Sequence, residues 1–167
     1  MSKHFLVLDA NILIRAVLGN KVRQMLLRFN ESVEFLTPDV CIDDALKYLP
    51  IIFEKRGLPS DSAIELLSNL RCLLRIVDAQ VYQALTMDAK KRIGDRDLYD
   101  WPIVATALTF NSPVWTEDRD FFGSGLAVWT TDRIHLFFES SLAIDPANQV
   151  ALLDVAQPEK PSSFQGL

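Results

Sequence analysis

"FLVLDANILI", Phe5 to Ile14, decides how the rest of this chain is read. Phe5 to Leu8 are continuously apolar, the pattern of a short strand buried on both faces of a sheet. Ile12 to Ile14 resume the hydrocarbon as the start of a buried helix. Between them stand Asp9 and Asn11, and burying an unpaired carboxylate is costly. Two readings are open. Asn11 can cap the helix while Asp9 accepts from turn amides. Alternatively, Asp9 stands at the carboxyl end of a central strand, where open α/β sheets bind their ligands.

Working outward, strands alternate with helices. Asn11 to Leu18 reads as a short helix stopped by Gly19, and Asn20 caps a second helix to about Phe29. Val33 to Leu36 is a strand. "TPDV" then places Thr37 as N-cap, Pro38 at the first helical position and Asp39 in the first turn. That helix runs toward Lys55, with a kink expected at Pro50 and a stop at Gly57. Ser60 caps a helix carrying Ala63, Leu66, Leu67 and Leu70. Leu73 to Val77 is a strand, and Asp78 caps a helix to about Lys91. Tyr99 to Phe110 is a strongly apolar helix ending near Asn111. Pro113 to Thr116 and Ala127 to Thr131 are strands, and a last helix covers Asp132 to Glu139. This alternation predicts a single-domain, three-layer α/β/α fold around a mainly parallel sheet.

A chain of 167 residues with 49% hydrophobic content is one domain with a real core. Residues 1–140 form that domain, and residues 141–167, with three of the prolines, are expected to be a partly disordered extension. No apolar run reaches the ~20 residues of a membrane span, and the N-terminus reads as a strand rather than a signal peptide. Cys41 and Cys72 lack metal-site spacing and are expected to be buried, reduced thiols of a cytoplasmic protein. His4 and His135 are too few and too far apart for a histidine zinc site or a Ser-His-Asp triad. A net charge of −5 argues against a simple electrostatic nucleic-acid binder. It does not argue against an enzyme whose negative charge is gathered at cations.

The acids are not scattered evenly. Asp9 and Asp118 each follow a short apolar strand, and in a parallel sheet such ends share one edge. Asp97 and Asp100 precede the apolar helix, Asp43 and Asp44 lie in the first turns of the Thr37-capped helix, and Asp120 follows Asp118. Neighbouring carboxylates repel and raise each other's pKa, a cost that a hard divalent cation removes. One or two such ions can activate water and stabilise a leaving oxygen in phosphodiester cleavage. Asn11 can hydrogen-bond Asp9 or cap the helix, and Thr116 can orient Asp118 or simply end a strand. Adjacent helical residues point about 100° apart, so only one of Asp43 and Asp44 can face such a site.

Three stretches together resemble the PIN-domain family of metal-dependent nucleases. "FLVLDANILI" is similar to its apolar strand followed by Asp-x-Asn. "TPDVCIDDALKYL" is similar to the helix carrying its second acid. "DLYDWPIVATALTFNSPVWTEDRDFF" is similar to its third acid before a buried helix, followed by a strand and Thr-x-Asp-x-Asp-Phe. The resemblance spans Phe5 to about Thr131. It implies Asp9, Asp44, Asp100 and Asp118 as the catalytic, metal-binding acids, with Asp120 as a fifth. It also implies Mg²⁺ or Mn²⁺ as cofactor, RNA as substrate, a homodimer, and an antitoxin partner of the kind that restrains VapC-type toxins. The family's second acid is usually Glu; Asp44 is one methylene shorter, so its reach to a metal is through water or incomplete.

"KKRIGDR" places Lys90, Lys91, Arg92 and Arg96 just before Asp97 and Asp100, where they can hold RNA phosphates, and Arg15 lies near Asp9. The plainer reading is a solvated helix C-terminus with cations complementing its dipole. Trp101, Trp115 and Trp129 lie in apolar runs and are expected in the core. Two other functions stay open. One is a catalytically degenerate RNA-binding or regulatory scaffold. The other is an aspartyl-nucleophile phosphatase, disfavoured because Asn11 stands where Asp-x-Asp chemistry needs a second acid.

Overall fold

The computed structural model describes residues 3–143. Five strands form one parallel sheet: β1 (His4–Leu8), β2 (Val33–Pro38), β3 (Leu74–Val77), β4 (Val114–Trp115) and β5 (Val128–Trp129). Their order is β3-β2-β1-β4-β5. Parallel neighbours require crossovers, and helices fill them: α1 (Ala10–Leu18), α2 (Asn20–Phe29), α3 (Asp39–Lys55), α4 (Ser60–Leu70), α5 (Ala79–Tyr82), α6 (Thr86–Ile93) and α7 (Trp101–Phe110), with α8 (Ile134–Ala143) after β5. The expected parallel sheet flanked by helices is therefore the fold. Residues 144–167, most of the expected extension, lie outside the described residues. Among the described residues no helix is long and apolar enough to cross a membrane.

The core explains the order. Leu6, Val7 and Leu8 of β1 are fully buried, as a central strand covered on both faces must be. Helix α7 is buried from Pro102 to Ala107 and packs on β1, β2 and β4, with α5 and α6 against it. Helix α1 buries Ile12, Leu13, Ala16 and Val17 and packs on α2, α3 and α4. Phe138 of α8 stacks on Phe29 at 4.1 Å and meets Phe35 and Trp115 edge-on, closing the core between β2, β4 and α2. Trp115 is fully buried, while Trp101 and Trp129 are half-buried against the same core.

Several local expectations change. Thr37 is not a helix cap. Strand β2 extends through Pro38 because Thr37 and Pro38 pair with Ile76 and Val77, and the buried Thr37 hydroxyl donates to the Leu8 carbonyl at 3.1 Å. Ser60 and Asn20 are the first residues inside α4 and α2, after Pro59 and Gly19. The helix expected from Asp78 to Lys91 is broken into α5, a 3₁₀ turn at Gln83–Leu85, and α6. Cys41 is buried, but Cys72 is exposed, its thiol donating to the Asn69 carbonyl in the turn after α4.

Candidate active site

The sheet order reverses at β1: β2 and β3 lie to one side, β4 and β5 to the other. Ligands of open parallel sheets bind at the carboxyl ends of strands at such a switch point. The register pairs Leu8 with Trp115, and the Asp9 amide donates to the Trp115 carbonyl at 3.2 Å. Asp9 and Thr116 therefore leave adjacent strands side by side.

Asp9 occupies the cap position of α1, but its carboxylate makes no capping hydrogen bond. It turns instead toward β4. Its Oδ2 accepts from the Thr116 hydroxyl at 2.6 Å and from Asn11 Nδ2 at 2.5 Å. Asn11 also donates to Thr116 Oγ1 at 3.2 Å, while its Oδ1 accepts from the Glu117 amide at 3.3 Å. The strand-end hydroxyl and the carboxamide thus form one network with Asp9. Asp9 is buried, and burial raises its pKa above the ordinary 3.8. The Asp118 charge adds to that rise, against the stabilising Thr116 bond and the nearby Ala10 and Asn11 amides.

The network continues along the loop after β4. The Asp118 amide donates to Thr116 Oγ1 at 2.9 Å, and the Asp120 amide donates to Asp118 Oδ1 at 2.9 Å. Asp100 reaches the cluster from the turn before α7. Its carboxyl is pushed up to about 7, first by burial and then by the charges of Asp9, Asp97, Asp118 and Asp120. Asp100 Oδ2 is buried without a hydrogen-bond partner, alone in this among the described side chains. Asp97 is partly committed locally, accepting the Tyr99 amide at 2.9 Å.

Asp43 and Asp44 diverge, as adjacent helical positions must. Both are exposed; the Asp43 charge is felt at Tyr82 and the Asp44 charge at Cys41, where the Asp9 charge is also felt. The charges of Asp9, Asp97, Asp118 and Asp120 thus act on Asp100, while the Asp44 charge acts on Cys41. Among the described residues no three His, Cys, Asp or Glu side chains form a ready-made metal cage. The donors nevertheless fit a hard divalent cation in kind. They are all oxygen, they repel one another, and one buried oxygen lacks a donor.

The basic residues divide. Lys90 lies over the Trp101 ring, 5.6 Å from its centre, and Lys91 is exposed. Arg92 and Arg96 donate to carbonyls of the loop after Asp118. Arg15 lies 3.9 Å from Glu117 in a half-exposed pair of little energetic weight. Glu117 carries no distinctive sequence signal of its own. Its Oε1 accepts the Thr131 amide at 2.8 Å, bracing the ends of β4 and β5; only its place in the Thr-Glu-Asp run hinted at this.

The fold has solved counterparts. It is similar to PAE2754 from Pyrobaculum aerophilum (TM-score 0.61, 14% identity, covering 83% of this chain and 90% of that one). It is similar to VapBC2 from Rickettsia felis, solved bound to a DNA fragment from their promoter (0.57, 13%, 75% and 98%). It is also similar to FitAcB from Neisseria gonorrhoeae (0.51, 22%, 75% and 97%). No curated protein sequence matches the chain. The PIN domain matches residues 7–139, the span that runs from the end of β1 through the acids to most of α8, and the chain belongs to the PIN-domain family.

Proposed function

We propose that this protein is a metal-dependent endoribonuclease. Asp9, Asp100, Asp118 and Asp120 would hold Mg²⁺ or Mn²⁺, and Asp44 would act as an outer carboxylate. The observation that carries this reading is the partnerless, buried Asp100 Oδ2 among three further carboxylates at the switch point of the sheet. A divalent cation bound there supplies a Lewis acid that makes water a better nucleophile and neutralises charge developing on a phosphodiester. The chain's own residues fix the donors. Thr116 and Asn11 hold Asp9 by its Oδ2, and the Thr116 hydroxyl passes orientation to Asp118 through the Asp118 amide. Exposed Lys91, and Lys90 above Trp101, suit phosphate contacts beside the acids.

Membership of a family generally composed of nucleases supports this reading. The fold shared with VapBC2, solved with promoter DNA, suits a place in a toxin–antitoxin pair. Exposed Leu27 on α2 and Ile64 on α4 suit the face of a homodimer. The second reading, a degenerate RNA-binding scaffold, is favoured by the short, exposed Asp44. One experiment separates the two: labelled RNAs incubated with the purified protein in Mn²⁺, in Mg²⁺ and in chelator, beside Asp9→Asn and Asp100→Asn. Cutting that needs metal and vanishes in both folded variants supports the nuclease. RNA binding without cutting supports the scaffold.

A further inference from the structure

Two exposed arginines of the basic run donate to backbone carbonyls. Arg96 Nη1 donates to the Asp120 carbonyl at 2.6 Å and also to the Phe122 carbonyl. Arg92, in the last turn of α6, donates from Nη1 to the Ser124 carbonyl at 3.3 Å. The loop they grip is shaped to receive them. A Cβ at Gly123 would lie 3.1 Å from Arg96 Nη2, and one at Gly125 would lie 2.7 Å from Arg92 Nη1. Both glycines have positive φ, 88° and 79°, a conformation strained for other residues, and a side chain at either would push the guanidinium group aside. Below the turn, Phe121 is fully buried, and the Ser124 hydroxyl donates to its carbonyl at 2.7 Å.

We infer that Arg96, assisted by Arg92, is a positioning residue that locks the Asp118–Asp120 arm of the acidic site to the chain leading into Asp100. The inference rests on the metal-site reading above and assigns these two arginines a role other than RNA binding. The connection is continuous. Thr116 joins Asp9 to the Asp118 amide, Asp118 accepts the Asp120 amide, and Arg96 holds the Asp120 carbonyl. Arg96 lies four residues before Asp100 in the sequence. Carboxylates that repel need such an outside constraint to stay together when no cation is bound. Both carbonyls are held by one nitrogen, Nη1, at the far end of a rigid planar group; a lysine ammonium ends one bond nearer the chain and does not reach that point.

The test measures Mn²⁺ affinity of the full chain by electron paramagnetic resonance of the free ion. Hydrogen exchange of the 119–124 amides is followed in chelator, for wild type, Arg96→Ala, Arg96→Lys and Gly123→Ala. Loss of a group that orients metal ligands weakens metal binding about 10–100-fold. That loss is expected for both Arg96 variants, with faster exchange confined to the loop and β1 exchange unchanged. Gly123→Ala should mimic them and add little when combined with Arg96→Ala. If Arg96 instead contacts phosphate, Mn²⁺ affinity stays at wild-type level, Arg96→Lys retains RNA binding, and Arg96→Ala lowers the salt slope by about one; that result overturns the inference. Wild type that binds no Mn²⁺ removes the metal-site reading itself. Wild type that binds Mn²⁺ no better than a loop-loosened Arg96→Ala removes the clasp alone.

Discussion

Replacing Asp100 by Asn should make the metal-free protein more stable and the metal-loaded protein less stable. In the unfolded chain this carboxyl ionises near 3.8, and in the fold near 7. Between those values the folded protein holds a proton that the unfolded chain has lost. The stability this group contributes is therefore full below the lower value and is lost as pH rises through the higher one. At about 1.4 kcal/mol per pH unit, a fully buried group with such a span would account for roughly 4 kcal/mol. Asp100 is only half-buried, and screening by water reduces the figure to about 1–2 kcal/mol. The Asn variant carries no such charge, and its amide can donate to the surrounding carboxylates. In chelator at pH 8 it should melt above wild type by about 2–8 °C, at 2–4 °C per kcal/mol for a chain of this size. The difference should shrink toward pH 4. Saturating Mn²⁺ at about 100 times its Kd should add about 2.7 kcal/mol to wild type and much less to the variant, reversing the order. Scanning calorimetry at several pH values, with chelator and with Mn²⁺, reads both effects. A metal-free wild type equally stable from pH 5 to 8, or a variant that melts lower in chelator at every pH, would refute the reasoning.

Thr116→Val removes the donor to Asp9 and the acceptor of the Asp118 amide; it should cost about 1–3 kcal/mol in denaturant melts and abolish cleavage, while Thr116→Ser keeps both. Asp44→Asn should reduce cleavage less than Asp100→Asn does, and Asp44→Glu should match or exceed wild type, because the added methylene extends the reach of an exposed carboxylate; steady-state rates on one RNA check this. Phe138→Ala deletes a ring stacked on Phe29 and edge-on to Phe35 and Trp115; it should cost about 3–5 kcal/mol in thermal unfolding without changing Mn²⁺ affinity per folded molecule.

What was legible in the sequence is what short-range forces decide. The largely apolar runs Phe5 to Leu8 and Trp101 to Phe110 mark core elements, and their lengths distinguish strand from helix. Gly19, Gly57 and Asn111 mark helix ends because backbone conformation is a local property. Asp9 was recognisable as an acid at the carboxyl end of a buried strand. Local rules went wrong where distant chain intervened. Thr37 carries a cap pattern, yet pairing with β1 and β3 held it in a strand. Arg92 and Arg96 read as free cations, but the loop after Asp118 brings its carbonyls to their guanidinium groups.

The cluster itself belongs to the tertiary structure. Asp9 and Thr116 are 107 positions apart and touch because β1 and β4 are neighbours in one register. Nothing within either strand specifies that neighbour. Strand order follows from packing the whole core, with α7 buried across β1 and β2 and Phe138 closing against β2 and β4. The sequence by itself determined the elements and the acids that end them, because helix and strand patterns arise from interactions a few residues apart. Only the tertiary structure decided which acids face one another and which arginines hold them, because burial of the core as a whole sets strand order and register.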